Sequence, residues 1–462
     1  DYCRNSRMNR EKAMSSVSRS VSILSFSLIL IFFAFSAKAV EIKEVVSPGG
    51  IKAWLVEEPS IPIVSLNVAW RGGASRDPAD KAGLAYLAAS TMDEGAGDLV
   101  GKAFQERLSD LAIQLGFDAS RDSFSGELKT LSENTEEAFR LFGLAISEPR
   151  FDEEPVERIR GQILASLNRK LSDPGSLASR AWFHLAFGDH PYSQPVEGTI
   201  ETMSEITRAD LGEFARTHLG RDNMLIGVVG DITAAELAPL LDSTFGGLPD
   251  TVSAKAVPET QPLPEAAIEI VPEDIPQSVV IFGGEGVKRD DPDYYAAYVF
   301  NYIFGGGTFE SRLTEEIREK RGLVYGVYSY LYPMQSAGLM MGRLATSNAS
   351  VKEALDLVQQ EIRRIRSENV SEDELSAAKT YINGSFPLGL ATNDRIADIL
   401  VAMQYSNLPV SYLEERAALI NAVTADDIKR VANRLLDPDK LIVVVAGKPD
   451  KLEPVGAGIQ KN

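Results

Sequence analysis

The side chains best able to hold a metal or attack a bond are scarce. The 462-residue chain has three histidines, at 184, 190 and 218, and one cysteine, Cys3. No two histidines stand at i, i+4, the spacing that sets two imidazoles on one helical face to grip zinc. His190 precedes Pro191 and Tyr192 in a stretch that reads as a structural turn, and His184 lies on an apolar helix over 182–187 as a core or boundary residue. The glycine run Gly305-Gly306-Gly307 would cradle a phosphate only with a Lys-Ser/Thr pair behind it, and none follows. It reads as a helix-initiating turn. Arg318 and Tyr325 stand seven residues apart. On residue types alone they are a solvated helix charge paired with Glu315 and a half-buried strand tyrosine.

Hydrophobic residues make up 44% of the chain and charged residues 24%, which excludes a disordered or fibrous protein. The length points to two or more domains. With 47 basic and 66 acidic residues the net charge is −19, so a phosphate backbone is a poor partner and nucleic acid is excluded. Residues 1–39 read as an export signal. Arg4, Arg7, Arg10, Lys12 and Arg19 precede an apolar run over 21–35, and Ala37-Lys38-Ala39 follows as a cleavage site. Its removal would take Cys3 away and leave a more acidic, thiol-free chain without stable membrane insertion, expected in the bacterial periplasm.

The remainder repeats itself. TRADLGEFARTHLGRDNMLIGVVGD from Thr207 aligns without a gap with TADDIKRVANRLLDPDKLIVVVAGK from Thr424. Each copy is an amphipathic helix, a polar turn and an apolar strand. Both halves also begin alike, with a strand, a glycine-containing turn and a helix. The unit is far longer than a solenoid repeat, so it marks two copies of one domain. The expected fold is α+β: two homologous domains, 40–254 and 270–455, each a mainly antiparallel sheet with helices packed on one face. The proline-bearing stretch 255–269 is the expected linker.

This two-half pattern resembles the insulinase/pitrilysin-type metallopeptidases, the inverzincins, which include the mitochondrial processing peptidase subunits and bacterial two-subunit enzymes. The family's H-x-x-E-H motif binds zinc through two histidines and uses its glutamate as general base. In the matching stretch Gly83-Leu84-Ala85-Tyr86-Leu87-Ala88-Ala89-Ser90, Tyr86 and Ser90 stand in place of the histidines and Ala89 in place of the glutamate. The third ligand, a glutamate on a later helix, falls at Ala165 or Ser166 in VERIRGQILASLNRK. The resemblance therefore implies no metal in this chain and zinc in a sister chain.

The run GGGTFESRLTEEIREKRGLVYGVYSYL, from Gly305, is the most family-like segment. Its helix is expected to carry Phe309, Leu313 and Ile317 on one apolar stripe and to end at Gly322. The resemblance assigns Arg318 and Tyr325 the role of binding the substrate carbonyl, where negative charge develops during hydrolysis. It assigns Gly305, Gly306 and Gly307 a secondary substrate contact. The implied function is a non-catalytic subunit that binds peptides and supplies Arg318 and Tyr325 to a homologous partner with an intact H-x-x-E-H motif. The alternative is an inert pseudopeptidase that binds peptides or scaffolds a complex. If the acidic excess lined the chamber, basic or neutral peptides would be favoured.

Overall fold

The computed structural model describes residues 41–252 and 255–456; the segment read as an export signal lies outside them. Among the described residues no helix is long and apolar enough to cross a membrane. The strands are β1 (Lys43–Val46), β2 (Lys52–Glu57), β3 (Ile63–Arg71), the short pair β4 (Gly95–Ala96) and β5 (Leu99–Val100), β6 (Gln114–Ala119), β7 (Ser123–Leu131) and β8 (Met224–Gly230). The second half adds β9 (Ala267–Val271), β10 (Gln277–Glu285), β11 (Val324–Pro333), β12 (Gly338–Ser347) and β13 (Ile442–Ala446).

Among the described residues, beside the two-stranded β4-β5, the strands form two large sheets, ordered β1-β2-β8-β3-β7-β6 and β11-β12-β10-β13-β9. Read from its β6 end, the first sheet has the order of the second, with β1 added. Both sheets are antiparallel except at β2–β8 and β13–β9, which correspond. The α+β class expected from the sequence is the class observed. β9 starts at Ala267, inside the stretch read as linker.

The repeat is also visible in detail. The helices Arg208–His218 and Ala425–Leu435 begin 217 residues apart. Each is opened by a threonine, Thr207 or Thr424, that closes a capping box with an aspartate, Asp210 or Asp427. The strand after each helix runs into a glycine at positive φ: Gly230 (145°), the last residue of β8, and Gly447 (149°), just past β13. A Cβ at Gly230 would collide with the Ile63 carbonyl, and one at Gly447 with Ser278.

One face of each sheet packs on the helices of its own half. Each opposite face receives one helix from the other half. The Pro174–Phe187 helix lies under the second sheet, burying Trp182 and Phe183 against Ile281, Met341, Ile442 and Val444. The Trp182 indole donates to the Ile442 carbonyl at 3.1 Å. The Asn393–Tyr405 helix lies on the first sheet over β8 and β3. There Asp394 pairs with Lys129 at 2.6 Å, and Gln404 Nε2 donates to the Ile226 carbonyl at 2.9 Å. Gly227 has no side chain because the Ala397 carbonyl and Leu400 lie directly over it.

Two hairpin turns meet where these helices end. Asp122, between β6 and β7, accepts from the Tyr192 hydroxyl at 2.7 Å and from Gln335 N at 2.9 Å, in the turn between β11 and β12. The Tyr192 hydroxyl accepts from Ser336 N at 2.9 Å, and the Tyr405 hydroxyl donates to the Asp122 carbonyl at 2.8 Å. Burial pushes the Asp122 carboxyl and both phenols up.

Replacing Trp182 by alanine removes a fully buried side chain that joins the halves. We expect a loss of about 3–5 kcal/mol in denaturant-induced unfolding, the usual range for a buried tryptophan. The second sheet should be affected although residue 182 belongs to the first half. Amide exchange on β10 and β13 should accelerate more than on β3 and β7.

Candidate functional site

The helix matching the zinc motif spans Leu84–Thr91. Gly83 precedes it at φ 97°, and the Asp77 carboxylate accepts from Gly83 N at 3.0 Å and Ala85 N at 3.1 Å. Burial pushes Asp77 up to about 8 against those hydrogen bonds, which favour its ionised form. Ala89 is buried in the core and Tyr86 packs against it. The Ser90 hydroxyl donates back to the Tyr86 carbonyl at 2.8 Å, one turn earlier. On the Glu153–Lys170 helix Ala165 is exposed and Ser166 half-buried. A phenol, a methyl group and a hydroxyl already spent on its own helix do not form a zinc donor set. Among the described residues no group of three or more His, Cys, Asp or Glu could hold a metal ion. Zinc does not fit the residues at this site.

The histidines have structural settings. His190 Nδ1 accepts from Tyr192 N at 3.1 Å, so its Nε2–H donates to the Pro258 carbonyl at 3.0 Å. His184 is exposed. His218 stacks on Phe214 with centroids 4.4 Å apart, and burial lowers its pKa to about 4.

Arg318 and Tyr325 are brought together. Arg318 lies on a π-helical turn, Thr314–Glu319, a geometry frequent at functional sites. Gly322, at φ 62°, ends that helix; its N–H meets the Arg318 carbonyl at 2.8 Å. The chain then enters β11 with a bulge between Val324 and Val327. Val324 and Val327 both face the core, and the extra residue between them turns Tyr325 outward, 92% exposed. The Arg318 guanidinium stands 5.7 Å from the Tyr325 ring centroid and 5.1 Å from that of Phe309.

Three sequence expectations change here. Glu315 pairs with Lys320 at 3.0 Å, and Arg318 approaches Glu319 at 3.5 Å instead. Tyr325 is not half-buried. Phe309 leaves the apolar stripe: a 3-10 turn over Thr308–Glu310 ends in extended backbone at Ser311, which puts Phe309 out of phase with the buried Leu313 and Ile317. That exposed phenylalanine is the site neighbour missed in the sequence, and a helical stripe with one member lying before Ser311 was its only signal.

The glycine run, expected to initiate a helix, instead ends one: Gly305 and Gly306 close a second π-helical turn, Tyr302–Gly306, that continues the Tyr294–Asn301 helix, and Gly307 caps it. A Cβ at Gly305 would strike Ser329 on β11, and one at Gly307 would strike the Tyr302 carbonyl and ring. Close packing accounts for these two glycines. Gly306 is exposed.

Known proteins of one family resemble this chain in sequence and fold. A family model described as "Peptidase M16 inactive domain" matches residues 205–382. The crystal structure of a peptidase M16 inactive domain from Pseudomonas fluorescens superposes with a TM-score of 0.84 at 30% identity, covering 90% of this chain and 100% of that one. A Helicobacter pylori protein named "Non-peptidase homolog YmxG" is 25% identical over 405 residues, 87% of this chain and 92% of its own. An uncharacterized zinc protease of Streptomyces coelicolor is 28% identical over 305 residues, 65% of this chain and 66% of its own.

Two measurements test the site. Purified chain dialysed against micromolar zinc should hold far less than one equivalent by elemental analysis, since Tyr86, Ala89 and Ser90 offer no ligand set; stoichiometric zinc would contradict this. The second concerns His218. Its folded pKa of about 4 lies below the unfolded value of 6.5, so the unfolded chain binds the proton first as pH falls. The His218 contribution is whole above pH 6.5 and is lost toward pH 4. Relative to His218→Gln, wild type should lose up to about 3 kcal/mol over that window. Parallel stability curves for the two proteins would refute it.

Proposed function

The chain belongs to the M16 peptidase family, the insulinase/pitrilysin type, and on that premise we propose that it is the zinc-less subunit of a heteromeric peptidase. Family membership and the absent ligand set make it an inactive member. The finer reading is that it binds an extended peptide and aims Arg318 and Tyr325 at the scissile carbonyl, while a homologous subunit with an intact H-x-x-E-H motif supplies the zinc.

The observation that carries this reading is the pairing of the half-buried Arg318 with the exposed Tyr325. A bulge, a π-helical turn and a left-handed glycine together deliver an arginine and a phenol to the same patch of surface. Arg318 is steadied by two aromatic faces, contacts worth about 0.5–1 kcal/mol each at exposed sites. Its guanidinium and the tyrosine hydroxyl are both directional donors. Placed where an oxyanion forms, they lower the barrier without changing protonation. Gly306 is the exposed position of the glycine run, although a Cβ there would strike the Asn301 side chain, and its substrate contact is secondary in this reading. The 3.5 Å approach of Glu319 to Arg318 favours a second reading, an inert pseudopeptidase that binds peptides or scaffolds a complex, because a committed guanidinium has less to offer an oxyanion.

Tyr325→Phe separates the two. The ring is almost wholly exposed, so losing the hydroxyl should leave folding and assembly unchanged. In the complex with the zinc-bearing subunit, kcat should fall on the order of 100-fold with little change in KM. Arg318→Gln should behave alike. Near-normal kcat in an intact complex, judged by size exclusion, would remove the transition-state role and favour scaffolding.

A further inference from the structure

We propose that the chain grips a carboxylate of its peptide in a cationic cavity on the same sheet face as Tyr325; this rests on the peptide-binding reading above. The cavity has a volume of about 360 Å³ and is lined by Arg121, Lys170, Arg180 and Arg343 against Asp173 and Glu197. Its local sign is opposite to the net charge of −19. The four cations come from separate elements: the turn after β6, the end of the Glu153–Lys170 helix, the Pro174–Phe187 helix and β12.

Two of these cations are already engaged. Lys170 pairs with Glu197. Arg121 lies over the Phe183 ring at 3.8 Å, and its Nε donates to the Tyr192 carbonyl at 3.3 Å. Arg180 and Arg343 have no hydrogen bond or ion pair within 4.0 Å among the described residues. The Arg343 guanidinium occupies the space that a Cβ on Gly175 would fill. Both act on carboxylates only at longer range, Arg343 on Asp173 and Arg180 on Glu201, so a carboxylate entering the cavity would supply the direct partner that each lacks. The planar fork of arginine matches a carboxylate with two parallel hydrogen bonds.

The sheet register ties this cavity to Tyr325. Arg343 on β12 is directly opposite Tyr328 on β11, so both side chains project from one face. Tyr325 and Tyr328 each follow a core-facing valine, Val324 and Val327, and therefore share that outward face. Tyr328 and Tyr330 are both exposed, their ring centroids 6.2 Å apart. Tyr328 lies three positions beyond Tyr325, at most about 10 Å along the strand. A peptide whose carbonyl meets Arg318 and Tyr325 would bring a carboxylate to Arg343 within about three or four extended residues. That carboxylate is either the peptide's C-terminus or an aspartate or glutamate side chain.

The test is peptide affinity for the purified full chain, followed by fluorescence anisotropy at 50 mM salt. One pair of labelled decapeptides differs only in a free or amidated C-terminus, and a second pair only in one internal Asp or Asn. In at least one pair the carboxylate form should bind about tenfold more tightly, and which pair responds identifies the source. Arg343→Gln and Arg180→Gln should each reduce that preference to less than about twofold at an unchanged thermal midpoint. Equal affinity within both pairs would overturn the proposal, and so would a preference that survives both substitutions. Inorganic phosphate binding without discrimination between peptides would also overturn it, marking a free-anion site. Failure to bind any peptide would sink the peptide-binding reading and this proposal with it.

Discussion

Trp182 reaches from the first half of the chain to the underside of the second sheet, where its indole N–H meets the Ile442 carbonyl. The Asn393–Tyr405 helix makes the reverse crossing. Because each half covers a face of the other's sheet, neither sheet is finished alone. A sheet with one apolar face bare would lose the burial that drives its folding. The turns carrying Asp122 and Gln335 are then brought within hydrogen-bonding distance, with Tyr192 and Tyr405 closing the junction. The crossing helix lies mainly on β10 and β13, and Tyr325 and Tyr328 on the edge strand β11 are left exposed.

The same economy explains the vacated zinc helix. Leu84, Ala85, Leu87, Ala88 and Ala89 are buried in the first core. Once the ligand positions hold Tyr86, Ala89 and Ser90, the helix serves packing alone. A serine in mid-helix bonds back to the preceding turn, as Ser90 does, and its hydroxyl is satisfied without a metal. Chemistry can be deleted from such a helix while its place in the core remains.

What could be read from the sequence was whatever local rules determine. The repeat was legible because Thr207 and Thr424 each open an amphipathic helix whose buried face needs a sheet to cover. Gly322 was legible as a helix end because only a left-handed residue fits there. The helix exchange was not legible, since an apolar segment such as 182–187 is the same string whichever sheet it covers. The bulge that exposes Tyr325 was hidden because one extra residue in a strand has no signature beyond a glycine, here Gly326. The cationic cavity escaped notice because its residues are scattered from Arg121 to Arg343, and a net charge is a sum without positions.

The edge strand supplies a further argument for a covered surface. Val324–Pro333 reads VYGVYSYLYP, ten residues without a charge, at the rim of a sheet in a chain where 24% of residues are charged. Exposed edges of this kind invite pairing with other chains, and proteins commonly blunt them with lysine, proline or a bulge. Here the bulge lies at one end and the proline at the other, leaving Tyr328 and Tyr330 exposed between them. A strand so composed is costly to leave bare and well suited to an extended peptide lying across its tyrosines. In the proposed assembly the substrate and the sister subunit provide that cover. On that proposal the outward turn of Tyr325 would also present its hydroxyl to the bound peptide, so one extra residue in β11 would serve both to interrupt an edge and to offer a donor.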